Sequence, residues 1–333
     1  EPVLIGIDKS GKWHLHQGAC YLLNENDPKL IALNLRETKE VMSVPTHENN
    51  QLIAIEDGHK YGHLDVVFPV LHGTFGEDGT IQGLLKLLDV PFVGAGVLGS
   101  AVGMDKDVMK RLLRDAQIPI PKFISMNRIQ KAQFNFATVV KELGLPFFVK
   151  PANSGSSVGI HKVHNLAEFE PALNDAFMYD NKILIEEYIK GREIECAVLG
   201  NYHPIASLPG EVIPTHEFYS YEAKYIDEKG ANLQIPAQLT EHIIKKVQAL
   251  AVETFQALCC QGMARVDFFL QSDETLLVNE INTIPGFTRI SMYPKLWEIS
   301  GISYSELIDR LISLAIERHQ EEKALKVSFQ LNG

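Results

Sequence analysis

The chain has 333 residues, with 31 basic against 42 acidic side chains, a formal charge of −11, 45% apolar residues and 22% charged residues. That balance excludes disordered, collagen-like and low-complexity polymers. It also argues against non-specific binding to nucleic acid or anionic membranes, and the length suits two or three domains. The longest uncharged run, Val90 to Met104, is too short to span a bilayer and is broken by Gly94, Gly96, Gly99 and Gly103. The N-terminus lacks the basic region and long apolar stretch of a signal peptide. Cys20, Cys196, Cys259 and Cys260 show no C-x-x-C spacing, so neither zinc nor a disulfide framework is indicated. Reduced thiols in the cytoplasm are the expected state.

In chain order, Val3–Ile7 reads as a short apolar strand, Asp8–Gly11 as a turn and Trp13–Leu15 as a return strand. Residues 20–62 are polar and weakly patterned. Leu64–Val70 reads as a buried strand. Asp78 then caps a helix whose apolar positions are Ile81, Leu84, Leu85 and Leu88. Val90–Val93 is a further strand, and this strand–helix–strand rhythm predicts an α/β domain with a parallel sheet. A helix follows over Asp105–Ala116, then a linker at Ile118–Pro121. A helix near 131–143, a strand at Pro146–Lys150, a helix at 166–178 and a strand at Lys182–Ile189 come next. From 193 strands dominate, broken by a polar loop at 214–234. A helix at 239–259, strands at Met263–Gln271 and Leu276–Asn282, and an amphipathic helix at 303–322 complete the chain.

The chemistry concentrates in the last hairpin, GMARVDFFLQ–SDET–LLVNEIN. Alternate strand residues share a face. A turn centred on Asp273 and Glu274 pairs Ser272 with Thr275, and the same register sets Asp267 opposite Glu280 and Arg265 opposite Asn282. Two facing carboxylates destabilise a sheet. With an amide oxygen beside them, however, they make a site for a hard cation such as Mg²⁺, which takes one or two carboxylates plus nucleotide phosphates. Arg265 would stand beside developing negative charge, or form a salt bridge to Asp267 or Glu280. The two roles can coexist.

Lys150-Pro-Ala-Asn-Ser-Gly-Ser-Ser-Val-Gly159 is a glycine- and serine-rich turn whose N–H groups can cradle phosphates. No G-x-x-x-x-G-K-[ST] occurs. Lys150 and Lys106 are the cations expected beside a triphosphate. Gly94-Ala-Gly-Val-Leu-Gly99 matches G-x-G-x-x-G, but Ile118–Lys122 lacks the acidic residue a dinucleotide site needs, so a structural turn is the reading. His72 begins a glycine-rich loop leading into a helix N-terminus, which favours anions. It could contact a substrate carboxylate or serve the loop's structure. Glu186 or Glu187 could bind a ribose hydroxyl or adenine amine, or face solvent. Phe218–Tyr225 is an aromatic stretch in a long loop of the kind that forms lids, or that packs beneath one.

LHGTFGEDGTIQG, MDKDVMKRLL, FVKPANSGSSVGI, LIEEYIKGREIE, YSYEAKY, GMARVDFFL and NEINTIPGFT together resemble the D-alanine–D-alanine ligase family of ATP-grasp enzymes, collinearly over nearly the whole chain. The resemblance implies three α/β domains, with ATP between two antiparallel sheets. The domain limits would be 1–104, 105–190 and 191–333, with a lid near 210–235. Lys106, Lys150, Ser157, Glu186, Glu187, Ile189, Glu193 and Lys224 would bind the nucleotide, with Ile189 offering backbone to the adenine and Lys224 reaching the transferred phosphate. Gly155–Val158 would cover the phosphates. Asp267, Glu280 and Asn282 would hold two Mg²⁺ ions, replaceable by Mn²⁺.

His72, Arg265, Gly286, Ser291 and Met292 would line the sites for two D-alanines, and Ser156 and Tyr225 would tie the phosphate loop to the lid. The implied activity is ATP-dependent formation of D-alanyl-D-alanine through an acyl phosphate, for peptidoglycan precursors, in a cytoplasmic homodimer. Family members carry an earlier strand and a loop of the type G-G-x-S-x-E-x-x-V-S. The chain as read starts after that segment, so the resemblance implies an incomplete N-terminal domain. A ligase using D-lactate or D-serine, or a non-catalytic nucleotide binder, are the alternatives. Glu222-Ala-Lys-Tyr225 favours D-alanine over D-lactate, and the set Arg265, Asp267, Glu280 and Asn282 favours catalysis.

Overall fold

Short alternations of apolar and polar residues build the first sheet. The computed structural model describes residues 1–16, 21–24, 32–36, 38–45, 51–155, 158–214, 231–288 and 291–326. Strand β1 (Leu4–Ile7) runs antiparallel to β2 (Trp13–His16), and the Asp8 carboxylate closes their turn by accepting from the Ser10 N–H at 2.8 Å. Strands β3 (Leu22–Leu23) and β4 (Ala32–Leu33) form a separate small ladder. Strands β5 (Thr38–Val44), β6 (Gln51–Ala54) and β7 (Lys60–Gly62) complete a five-stranded antiparallel sheet, ordered β1-β2-β5-β6-β7. The weakly patterned stretch 20–62 therefore supplies most of this sheet.

The parallel sheet expected around 64–93 is a single parallel bridge between Val67 and Phe92 among the described residues. Pro69 and Pro91 each remove a donor from any longer ladder. Helix α1 (Thr80–Leu87) buries Ile81 and Leu85, and Leu88 follows it into the core, but Leu84 faces solvent. Its N-cap is Gly79 rather than Asp78, with φ at +91°. Asp78 instead braces the loop before it, accepting from the Phe75 and Thr80 N–H groups at 2.8 and 3.0 Å.

Helix α2 (Val97–Met104) lies where no helix is expected from the sequence. The glycines of G-x-G-x-x-G serve structure here. Gly94 has φ +97°, and a Cβ on Gly99 would lie 2.7 Å from the Cys259 carbonyl oxygen. Helix α3 (Lys106–Asp115) is capped by Asp105, which accepts from the Asp107 and Val108 N–H groups at 3.1 Å.

The second sheet contains β8 (Phe123–Asn127), β9 (Phe147–Pro151), β10 (His161–Val163) and β11 (Lys182–Glu187), in the order β10-β9-β11-β8 and wholly antiparallel. The helix expected near 131–143 is split into a 3-10 turn, Arg128–Gln133, and α4 (Phe136–Leu143). Phe147, Val149, Ile183 and Ile185 alternate onto one face and bury against Phe169, Leu173 and Phe177 of α5 (Leu166–Tyr179). The opposite face carries Phe148, Lys150, Leu184 and Glu186.

The third sheet is also antiparallel. Its strands are β12 (Arg192–Gly200), β13 (Ile205–Ala206), β14 (Gly210–Pro214), β15 (Ala231–Gln234), β16 (Gly262–Leu270) and β17 (Leu276–Asn282). Their order is β15-β14-β12-β16-β17, with β13 also on β12. Ile194, Cys196, Val266 and Phe268 bury one face against α3 and against Val247, Ala251 and Phe255 of α6 (Glu241–Ala257). On the other face Ala197, Leu199 and Met263 pack on α7 (Met292–Ile299) and α8 (Tyr304–Lys323). Of these, α7 is unanticipated. Arg318 of α8 donates to the carbonyls of Gly94 and Phe92, the latter at 2.7 Å, locking this layer to the first third of the chain. Among the described residues no helix is long and apolar enough to cross a membrane.

Candidate functional site

The uncovered end of the third sheet is polar, and a bulge makes it so. Strand β17 buries Leu276 and Val278, a rhythm that, continued, would drive Glu280 into the core. Between Val278 and Glu280 the register shifts by one residue. Phe268 lies opposite Val278, whereas Asp267 lies opposite Glu280 and Arg265 opposite Asn282. Ile281 then turns inward, while Glu280 and Asn282 turn outward with Asp267.

The acidic-end pairing is the expected one, but the turn is not. Gln271 donates its N–H to the Thr275 carbonyl at 2.9 Å, and Leu270, not Ser272, begins the ladder, opposite Leu276. The three-residue turn, in place of the expected two-residue one, and the bulge offset each other.

On β12, Glu195 lies opposite Asp267, so three carboxylates cross neighbouring strands in a row. Cations hold the row together. The Arg265 Nε and Nη2 donate to the two Asp267 oxygens at 2.7 Å each, and Nε also approaches Glu195 Oε2 at 2.9 Å. Burial disfavours the Arg265 charge, but Asp267 and Glu195 outweigh it and keep the guanidinium fully protonated. Lys106 Nζ approaches Glu280 Oε2 at 3.4 Å and donates to the Ser154 carbonyl at 2.9 Å. The Asn282 amide donates to Asp267 Oδ2 at 3.0 Å.

Among the described residues no group of three or more His, Cys, Asp and Glu side chains is arranged as a metal cage. Two carboxylates and an amide nevertheless fit Mg²⁺, which leaves its other positions to water and phosphate.

A second cluster stands on the facing sheet. Lys150 of β9 and Glu186 of β11 lie on its polar face, and Lys150 Nζ donates to Glu186 Oε1 at 2.7 Å. Lys110 of α3 meets Glu186 Oε2 at 2.7 Å and is fully buried. Burial would raise the Glu186 carboxyl, but Lys110 and Lys150 hold it below its ordinary range, so it is ionised. Burial draws the Lys110 ammonium down to about 8 against the pull of Glu186.

A third group joins loops distant in sequence. His72 Nδ1 lies 3.1 Å from the Ile284 carbonyl. The half-buried Glu77 carboxylate accepts from the Gly73 N–H at 2.8 Å and the Ile284 N–H at 3.2 Å. Burial raises the Glu77 carboxyl above its ordinary value. Gly286 lies two residues beyond Ile284, and a Cβ there would lie 2.9 Å from the Ser291 Oγ. Ser291 precedes α7 and its hydroxyl receives the Thr288 N–H at 3.1 Å, so it does not cap the helix. Met292 buries its side chain in the core, which leaves the N–H groups of the first turn of α7 as its contribution to a site.

Sequence reasoning missed Glu195, Lys110 and Glu77. Each had a signal. Glu195 is two strand positions after Glu193, Lys110 is one helical turn after Lys106, and Glu77 lies in the His72 loop. Glu193 shares the outward face of β12 with Glu195. Glu187 alternates to the opposite face from Glu186, and its Oε1 accepts from the Lys122 N–H at 2.6 Å, so its carboxylate does not join the lysine cluster. Ile189 follows β11, half-buried. Ser156, Ser157, Lys224 and Tyr225 lie outside the described residues.

Residues 1–95 match the family model described as D-ala D-ala ligase N-terminus, and residues 112–313 match D-ala D-ala ligase C-terminus. A D-alanine–D-alanine ligase of Oceanobacillus iheyensis is 55% identical over 325 residues, spanning 98% of this chain and 88% of that relative. The solved D-alanine–D-alanine ligase of Coxiella burnetii superposes with a TM-score of 0.82 at 38% identity, covering 97% of this chain and 86% of that one. That of Bacillus anthracis complexed with ATP gives 0.67 at 32% identity, covering 78% of this chain and 81% of its own.

Proposed function

The chain belongs to the D-alanine–D-alanine ligase family of ATP-grasp enzymes, and from that premise we propose that it joins two D-alanines into D-alanyl-D-alanine with ATP consumed to ADP and phosphate. The observation that carries this reading is the row Arg265, Asp267, Glu280 and Asn282, set on one face by the bulge in β17 and facing the cluster of Lys106, Lys150 and Glu186. Acids that take a divalent cation lie on the third sheet, and the lysines that take phosphate come from α3 and the second sheet, a division of labour that suits a nucleotide clamp.

Lys106 and Lys150 bind the phosphates beneath the loop Gly155–Val158. Glu186, Glu193 and the Ile189 backbone receive the adenosine. Ser157 and Lys224 add phosphate contacts. A magnesium ion on Asp267, Glu280 and Asn282 would offset phosphate charge and polarise the transferred group. The carboxylate oxygen of the first D-alanine attacks the γ-phosphorus and ADP leaves, giving an acyl phosphate. The neutral amine of the second D-alanine attacks the acyl carbon, and the resulting oxyanion faces Arg265 and the Gly286 N–H. Phosphate departs as the C–O bond breaks, and the new amide nitrogen gives its surplus proton to the departing phosphate or to solvent. His72, Ser291 and the first turn of α7 at Met292 orient the amino acids, a helix N-terminus being suited to a carboxylate. On the family resemblance, Ser156 and Tyr225 would tie the phosphate loop to the lid.

Residues 1–104, 105–190 and 191–333 form the three domains of this reading. The product serves peptidoglycan precursor synthesis in the cytoplasm, where the free thiols of Cys196, Cys259 and Cys260 persist. Family resemblance supports a homodimer, which light scattering measures. The function is tested with an amino-acid panel. D-alanine should elicit one phosphate per dipeptide formed. Equal phosphate release with L-alanine, D-lactate or D-serine, or none with D-alanine, would overturn the assignment.

A further inference from the structure

Lys110 is a fully buried cation that the proposed reaction does not use. It is one turn beyond Lys106 on the same face of α3, so both point at the polar side of the second sheet. Its only ion-pair partner among the described residues is Glu186 Oε2, at 2.7 Å, while Glu186 gives its other oxygen to Lys150. One carboxylate therefore lies between two ammonium groups, at equal distances, in an interior where Glu186 is only 2% exposed and Lys150 6%. Such an arrangement costs desolvation energy, and a hydrophobic residue at 110 would fill the space without it. The geometry instead fixes direction. The Lys110 charge beside Oε2 favours the orientation in which Oε1, and not Oε2, accepts from Lys150. With Lys110 absent, Glu186 could offer both oxygens to Lys150 and draw that ammonium away from the cleft.

We propose that Lys110 is a positioning residue of the nucleotide site, acting through Glu186 to keep Lys150 available to phosphate. This deepens the reading of Lys150 as a phosphate ligand and rests on it. Lys110 itself is fully buried behind Glu186.

The test compares Lys110→Met, Lys150→Met and the double variant in the full chain, reading KM for ATP, KM for D-alanine, kcat and melting temperature. Methionine keeps the length and volume of the side chain and removes the charge. Lys110→Met should raise KM for ATP about tenfold, the order of one weakened charged contact at Lys150, and leave KM for D-alanine within about twofold. On the Lys150→Met background the same change should add less than about twofold, because both act on one contact. If Lys150→Met raises KM for ATP and Lys110→Met does not, the proposal falls and the role of Lys150 stands. If Lys150→Met itself leaves KM for ATP unchanged, both fall. A parallel rise in both KM values with a collapse in melting temperature would make Lys110 a packing residue and also overturn the proposal. Should Lys110→Met not fold, Lys110→Gln, which also removes the charge, carries the same comparison: KM for ATP should rise by a similar factor, and a wild-type KM for ATP on a folded Lys110→Gln beside a raised one in Lys150→Met overturns the proposal.

Discussion

Arg265 and Glu195, on neighbouring strands, meet at 2.9 Å between guanidinium Nε and carboxylate oxygen, while the same guanidinium holds Asp267 by two bonds of 2.7 Å. One cation thus serves two carboxylates, and its planar fork fixes Asp267 in the orientation that faces Glu280.

Lysine cannot reproduce that fork. Arg265→Lys should lower kcat by about a hundredfold, through lost oxyanion stabilisation, with a smaller change in KM for ATP. Steady-state kinetics on the folded variant check this, and a kcat within twofold of wild type would remove Arg265 from the reaction.

Asp105 caps α3 and accepts from Lys182 at 2.6 and 2.8 Å. Burial would raise its carboxyl, but Lys182 and the cap bonds hold it below the ordinary 3.8. A depressed native value means the unfolded state binds the proton more readily. The stabilisation is therefore complete well above 3.8 and fades as pH falls through the native value. Asp105→Asn keeps a cap acceptor but loses the charge. It should cost about 1–2 kcal/mol at pH 7, and the difference from wild type should shrink in urea titrations below pH 4. A gap that does not change with pH would show that the charge of Asp105 is immaterial.

Arg318 supplies two buried carbonyls with donors, those of Phe92 and Gly94, and its guanidinium stacks 4.4 Å from the Phe92 ring centroid. Arg318→Met should destabilise by about 2–4 kcal/mol, because two buried acceptors lose partners. Turnover per folded molecule should be unchanged. Urea midpoints and specific activity below the transition measure both, and an unaltered midpoint would contradict the locking role.

Much of this arrangement is legible in the residues themselves. Asp267, Glu280 and Asn282 announce a cation site because acids recur beside apolar strand positions, and Lys106 and Lys150 flank a glycine-rich turn. The bulge was not legible. The string LLVNEIN admits either straight alternation or a skipped residue, and only packing of Val278 and Ile281 into one core decides. Of the first sheet only β1 and β2 were legible; β5, β6 and β7 escaped detection because they are three to seven residues long and bury few side chains each. Helix α2 was hidden by Gly99 and Gly103, which weaken helix propensity yet allow close packing on the Cys259 carbonyl and on Ile281. Lys110 reads as a surface lysine until α3 is docked against β11, since burial of a charge is a tertiary property.

Manganese titration by electron paramagnetic resonance, with ATP present, interrogates the facing carboxylates of β16 and β17 at their source. Wild-type protein should take up Mn²⁺ with the nucleotide, and Glu280→Gln should weaken that uptake by about tenfold or more while melting as wild type does. Equal Mn²⁺ uptake by a folded Glu280→Gln would contradict the cation site on which the nucleotide clamp depends.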